Sequence, residues 1–318
     1  MDLLVTGSAG FMGSCFVRLM LKNHHDWKIT SMDKLTYAGN MDNLAAVRAD
    51  RRHTFVKADI ADEAEALKVS KGKDAIINYA ACTHVDRSIA SPKEFVTTNV
   101  FGVYSLLEAA RKNDISRFVQ ISTDEVYGST SDGLFSEKSP FDPSSPYSAS
   151  KAAGDVLVKA YCRTYGLDAI VTNSCNCYGP YQHPEKFIPL AITNLASGKK
   201  IPVYGRGANV REWLFVEEHA AATEFINSNG KNGETYDIGS GERVSNIELA
   251  NRLSNLLGKS DSIEFVADRP GHDFRYALDS SKLAKLGWKA KITLAEGLKK
   301  AVSWYSANEL WWKKLVAK

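Results

Sequence analysis

The stretch Leu3-Leu4-Val5-Thr6-Gly7-Ser8-Ala9-Gly10-Phe11-Met12-Gly13 decides the fold. A short apolar run reads as a buried strand, three glycines at a spacing of three follow it, and from Phe11 to Asn23 the apolar residues recur with helical periodicity. Strand, glycines and helix in that order make a tight turn in which main chain can approach a pyrophosphate, whose charge sits at the helix N-terminus. Asp33 closes the next apolar run twenty residues after Gly13. A carboxylate there accepts hydrogen bonds from ribose hydroxyls and repels a 2′-phosphate, which favours NAD over NADP. No metal is called for.

The same alternation continues outward from this unit. Leu3–Thr6, Ile29–Asp33, Thr54–Val56, Ala75–Tyr79, Phe118–Ser122 and Ala169–Asn173 read as buried strands, and Phe11–Asn23, Thr98–Lys112 and Ser148–Tyr165 as helices between them. Repeated units of this kind predict an α/β fold, a Rossmann-type doubly wound parallel sheet. After about residue 175 Pro and Gly punctuate the chain, so the expected division is a dinucleotide-binding domain over 1–175 and a smaller C-terminal substrate-binding lobe over 176–318. A strand near 235–238 is expected to return to the main sheet.

Composition limits the partners. The 318 residues carry 40 Lys and Arg against 37 Asp and Glu, a net charge of +3, with the basic residues scattered rather than clustered. That speaks against a nucleic-acid partner or an anionic membrane surface. No apolar stretch reaches the roughly 18 to 20 residues of a membrane span, and Gly7 to Gly13 interrupts the N-terminal run before a signal peptide could form. Five cysteines at 15, 82, 162, 175 and 177, without CxxC spacing, fit a reduced, cytoplasmic chain without structural zinc. Trp311 and Trp312 are expected to fold back on the C-terminal lobe rather than to make a partner site.

Tyr147 and Lys151, four residues apart at the start of a helix, share one face. A nearby ammonium and a cationic nicotinamide would favour the phenolate, which makes Tyr147 a candidate base. Just upstream, Thr123-Asp124-Glu125-Val126-Tyr127-Gly128 stands at the carboxyl end of the fifth parallel strand, where ligands bind in open α/β sheets. Two adjacent carboxylates, one held neutral and one charged, would put acid and base functions side by side. Such a pair suits an elimination next to a carbonyl, whereas a simple dehydrogenase needs only the tyrosine.

With the glycine turn, Tyr147-x-x-x-Lys151 resembles the extended short-chain dehydrogenase/reductase superfamily. Thr123-Asp124-Glu125-Val126-Tyr127-Gly128 narrows the resemblance to the dTDP-glucose 4,6-dehydratase family. Thr83-His84-Val85-Asp86-Arg87-Ser88, Tyr178-Gly179-Pro180-Tyr181, Pro184-Glu185-Lys186, Arg211-Glu212-Trp213-Leu214 and Asp268-Arg269-Pro270-Gly271-His272-Asp273 carry it through the chain. It implies oxidation of a nucleoside diphosphate-hexose at C4 by NAD, loss of water across C5 and C6, and return of the hydride to C6. Tyr147 would take the 4-hydroxyl proton with help from Thr123, Glu125 the C5 proton, and Asp124 would protonate the departing 6-hydroxyl. Lys151 would orient the cofactor ribose and lower the Tyr147 pKa. Phe11, Met12, Asp59, Ile60, Ala80 and Ala81 would join Gly7, Gly10, Gly13, Asp33, Tyr147 and Lys151 around NAD. His84, Asn176, Lys186, Tyr204, Arg211, Asn246, Arg269 and His272 would hold the substrate.

Two positions depart from the bacterial pattern. Cys82 stands where Ala-Ala-Glu-Ser-His has its Glu, and Cys177 replaces the second Asn of Asn-Asn-Tyr-Gly-Pro. Both leave UDP-glucose open as substrate beside dTDP-glucose. A nucleotide-sugar 4-epimerase, which would lack the Asp-Glu pair, and a catalytically silent NAD-binding protein are the competing functions. A homodimer is expected on the helices Thr98–Lys112 and Ser148–Tyr165. Val100, Tyr104, Leu106 and Leu107 in the first, and Val156, Leu157, Ala160 and Tyr161 in the second, exceed what one sheet face would use.

Overall fold

Six strands alternate with helices along the first part of the chain: β1 (Asp2–Thr6), β2 (Lys28–Asp33), β3 (His53–Lys57), β4 (Ala75–Asn78), β5 (Arg117–Thr123) and β6 (Ala169–Ser174). The chain then leaves for β7 (Asn176–Tyr178), β8 (Ile201–Tyr204) and β9 (Val210–Phe215), returns for β10 (Thr235–Ile238), and leaves again for β11 (Arg243–Ser245) and β12 (Ile263–Val266). In this computed structural model, which describes residues 1–268 and 272–316, the main sheet runs β10-β6-β5-β4-β1-β2-β3, with every pair parallel. β1 pairs with β2 on one side and β4 on the other, so the strand order reverses there and opens a crevice at the carboxyl ends. Arg269, Pro270 and Gly271 lie outside the described residues, and with them the Arg269 expectation.

The helices cover both faces because their apolar stripes demand it. In Phe11–Asn23 the buried residues include Gly13, Phe16, Val17, Met20 and Leu21, the spacing of one helical face. They pack with Leu3, Val5, Ile29 and Ile77 on one side of the sheet, while Leu106, Leu107, Phe118, Val158 and Val171 fill the other. A third cluster around Tyr178, Trp213, Phe215, Leu249 and Leu298 forms the core of the C-terminal part, and there Trp311 and Trp312 are buried as expected.

The expected helix Thr98–Lys112 differs at its start. A π-helical turn over Thr97–Phe101 precedes the α-helix Gly102–Lys112. Asn99 explains the wider turn: its amide donates to the Cys82 carbonyl at 3.0 Å and to Ser150 Oγ at 2.9 Å, and accepts from the Cys82 N–H at 2.9 Å. The neighbouring helix approaches so closely that a Cβ on Gly154 would sit 2.6 Å from the Asn99 carbonyl oxygen. Such turns cluster where a fold shapes a site.

Candidate active site

The glycine turn has the geometry of a phosphate cradle. Gly7 has φ +62° and a Cβ there would lie 2.6 Å from the Ala80 nitrogen, while a Cβ on Gly13 would lie 2.3 Å from the Gly7 carbonyl oxygen. Gly10 is different. Its Cβ would meet only the Gly7 oxygen, at 3.2 Å, so a side chain there would fill the cleft itself. Gly10 is also the N-cap of Phe11–Asn23, with no side chain capping the helix and no acidic residue in the first turn. Main-chain N–H groups and the helix dipole are therefore left for an anion. All twelve residues expected around NAD line one cleft of about 1270 Å³, counting its open mouth. The residues present fit a dinucleotide.

Asp33 is buried and fixed by two main-chain bonds, Oδ2 from Ala9 N–H at 2.9 Å and Oδ1 from Leu35 N–H at 2.7 Å. Burial raises its pKa, and those N–H groups together with that of Gly10 oppose the rise. A carboxylate has about four lone-pair sites, so oxygens held this way can still accept from a ribose. Asp59 pairs with Lys34 at 2.6 Å beside it.

The reacting end lies where β5 stops. Thr123 caps the short turn Asp124–Tyr127, accepting from the Glu125 N–H at 3.3 Å, and its hydroxyl lies 3.3 Å from Asp124 Oδ1. Across from it the helix Pro146–Tyr165 begins at a capping box of Ser145 and Ser148 with Pro146 in the first turn. That start puts Tyr147 in the first turn and Lys151 one turn on, both buried. Asp124 is 1% exposed and its Oδ2 has no partner. Burial first, then the charges of Glu125 and Glu212, push its pKa well above the carboxylate range. Asp124 is thus held neutral beside half-buried Glu125.

Tyr147 departs from the simple expectation. Burial and then the Glu125 charge raise its pKa well above 10, while the Thr123 hydroxyl acts the other way. Lys151 Nζ donates to the Ile121 carbonyl at 2.6 Å, and burial lowers its own pKa. The charge that opposes this fall is that of Asp155, one turn further along the same face, a residue absent from the expected set. Asp155 is fully buried, accepts from Ser122 Oγ at 2.5 Å, and has its pKa raised to about 6. Its spacing of four from Lys151 was the available signal.

The residues expected to hold substrate fall into two groups. His84 and Lys186 flank the mouth of the dinucleotide cleft, where Lys186 Nζ donates to the Thr83 carbonyl at 3.1 Å and His84 lies 3.7 Å from Glu185. Tyr204, Arg211, Asn246 and His272 belong to the C-terminal part. There the Tyr204 and His272 rings meet edge-on at 5.9 Å, and His272 Nδ1 lies 2.6 Å from Asp268. Arg211 donates to the main-chain carbonyls of Val210, Phe274 and Asp273 at 2.7 to 3.2 Å. Much of its fork is therefore engaged in holding the 273–274 segment. The Asn246 N–H donates to Asn209, whose amide donates to the same Asp273 carbonyl. Asn176 stands on β7. Cys82 lines the dinucleotide cleft, and Cys177 is buried against the Cys175 carbonyl.

A crevice at the strand reversal with Tyr147 and Lys151 at its inner end defines the class, an extended short-chain dehydrogenase/reductase. Within it, the match to known proteins is end to end. The family model described as GDP-mannose 4,6 dehydratase matches residues 4–301. The chain is 48% identical to a dTDP-glucose 4,6-dehydratase of Streptomyces niveus, over 99% of this chain and 96% of that one. It is also 48% identical to the low-salt glycan biosynthesis protein Agl12 of Haloferax volcanii, over 97% and 100%. The crystal structure of a double mutant of DesIV, a dTDP-glucose 4,6-dehydratase from Streptomyces venezuelae with NAD bound, superposes with a TM-score of 0.97 at 48% identity, covering 99% of this chain and all of that one. The chain belongs to the dTDP-glucose 4,6-dehydratase family.

Proposed function

We propose that this chain is an NAD-dependent hydro-lyase that converts dTDP-glucose to its 4-keto-6-deoxy sugar. The observation that carries the reading is the pair at the end of β5: a buried Asp124, whose pKa burial and the neighbouring Glu125 push well up, next to half-buried Glu125 and beside Tyr147. An epimerase has no use for that pair, and a silent binding protein has no use for any of the three. When bound, NAD supplies the hydride acceptor for C4 and the donor for C6, and its cationic ring favours the Tyr147 phenolate. Gly7, Gly10, Gly13 and Asp33 hold its pyrophosphate and ribose, with Phe11, Met12, Asp59, Ile60, Ala80 and Ala81 along the same cleft. Lys151, whose ammonium form Asp155 favours against burial, orients the ribose near Tyr147. Tyr147 takes the 4-hydroxyl proton with Thr123 assisting. The resulting ketone acidifies C5, Glu125 removes that proton, and Asp124 protonates the 6-hydroxyl as water leaves. His84, Asn176, Lys186, Tyr204, Arg211, Asn246, Arg269 and His272 grip the nucleoside diphosphate, so residues 1–175 serve the cofactor and 176–318 chiefly the nucleotide sugar. The engaged fork of Arg211 makes it a brace for the 273–274 segment as well as a phosphate ligand.

Side-by-side incubation with dTDP-glucose, UDP-glucose and GDP-mannose tests the substrate. With dTDP-glucose, deuterium placed at C4 is expected at C6 of the product, and solvent deuterium at C5. A C4 label that washes into solvent would overturn the mechanism.

The assembly is a homodimer on a face that differs from the expected one in detail. Leu106, Leu107 and Tyr161 are buried in the core, whereas Phe101, Val156 and Tyr165 of the two helical segments are exposed, as is Val96 at the end of the preceding helix Pro92–Val96. An apolar face of this kind marks an interface. Light scattering should give twice the chain mass, and Phe101→Glu with Val156→Glu should give monomers. A parent protein that is already monomeric at micromolar concentration contradicts this. No helix among the described residues is long and apolar enough to cross a membrane, and the place of action we assign is the cytoplasm.

A further inference from the structure

The expected cofactor residues leave unexplained what holds the outer side of the glycine turn. Ala9, inside the turn, is bonded on both sides: its N–H donates to Asp33, and its carbonyl accepts from Asn40 N–H at 3.0 Å and Asn43 Nδ2 at 2.9 Å. Asn43 is buried, and its Oδ1 accepts from the indole N–H of Trp311 at 3.0 Å, across 268 residues of sequence. Chemistry fixes the orientation of that amide. A carbonyl can only accept and an indole can only donate, so one rotamer satisfies both partners. The Asn43 main-chain carbonyl accepts from Arg18 at 2.5 Å, and Arg18 lies 4.2 Å over the Tyr181 ring.

Trp311 reaches the cleft by a second route. It stands on the helix Glu309–Val316 and packs edge-on against Tyr181 at 5.7 Å and Trp304 at 5.1 Å. Tyr181 lines the dinucleotide cleft and has a left-handed backbone, φ +67°, uncommon for a residue with a side chain. One indole therefore braces the glycine turn by a buried hydrogen bond and the opposite wall by ring packing.

We propose that the helix Glu309–Val316 is a latch on the dinucleotide cleft, with Trp311 and Asn43 as positioning residues that fix the glycine turn and so set how long NAD is retained. The proposal rests on the NAD reading above and adds residues outside it. Trp311→Phe keeps a ring and removes the donor, leaving the Asn43 oxygen buried without a partner. Asn43→Asp keeps the acceptor for Trp311 and sets a carboxylate oxygen against the Ala9 carbonyl. An unsatisfied buried group costs enough to change binding by about tenfold or more.

The test measures, on the holoenzyme, the release rate of NAD and, on the same samples, the affinity for dTDP. Each variant is expected to release NAD about tenfold faster, and the double variant no faster than the worse single one, because the two bonds act in series. Affinity for dTDP should stay within about twofold, although Trp311 lies in the part of the chain assigned to the nucleotide sugar. General loosening of that part would weaken dTDP as much as NAD. Equal losses of both ligands, additive losses in the double variant, or NAD release within about twofold of the parent in both single variants would each overturn the latch. If Trp311→Phe does not fold, Asn43→Asp decides alone on the ratio of the two losses. A parent protein that retains no NAD overturns the cofactor reading itself.

Discussion

Tyr147→Phe is expected to stop the reaction before any oxidation, lowering kcat by roughly 100- to 10,000-fold, the usual worth of a positioned acid or base. The phenol sits at the end of β5 with its hydroxyl acted on by Thr123, and burial together with Glu125 holds it protonated above its ordinary pKa. The residue is therefore not a preformed base. Its proton must leave in a site where a cationic nicotinamide and the Lys151 ammonium offset the carboxylates around it. Phenylalanine keeps the ring and its edge contact with Phe95, so cofactor binding should survive. The readout that separates this variant from a folding defect is spectroscopic: NAD stays bound, yet no reduced nicotinamide appears when dTDP-glucose is added. Turnover at the parent rate, or reduced nicotinamide without product, would remove Tyr147 from the first step.

Features carried by local pattern were legible in the sequence. β1, the glycines and Phe11–Asn23 follow from period and punctuation, and the helix observed from Phe11 to Asn23 has the expected bounds. The strand Thr235–Ile238 was readable too, as a short stretch set among turn residues. What could not be read is what distant segments do to a local group. The Asp124 pKa is raised by burial and by Glu125, and Glu212, eighty-eight residues on, adds to that rise. The bracing of the glycine turn likewise depends on Trp311, near the other end of the chain. Periodicity also cannot say which of several apolar faces stays exposed. Leu106 and Leu107 fill the space between helix and sheet, while Phe101, displaced by the π-helical turn, faces out. Arg211 carries a second role that its residue type does not announce, since a phosphate-shaped fork can equally brace main-chain carbonyls.

Glu125→Gln should divide the reaction in two. The substitution keeps size and hydrogen bonding but removes the base for C5, so elimination should slow by roughly 100- to 10,000-fold. The C4 step should not slow with it. The Glu125 charge raises the pKa of both Tyr147 and Asp124, so neutralising it makes the phenol easier to ionise. Oxidation proceeds as fast as before or faster, the 4-keto sugar waits, and reduced nicotinamide accumulates on the enzyme where its absorbance can be followed. Asp124→Asn should also slow water loss, for a different reason: the acid that assists the 6-hydroxyl is gone. The two variants then separate by pH. In the parent enzyme Asp124 is protonated because burial and Glu125 raise its pKa, so as pH climbs through that raised value the acid is lost and kcat falls on the alkaline side. Asp124→Asn has nothing to titrate there and should lose that limb. Glu125→Gln should move it to lower pH, since one of the charges holding Asp124 protonated has been removed. If Glu125→Gln turns over at the parent rate, or the alkaline limb stays in place in both variants, the division of labour between the two carboxylates is wrong.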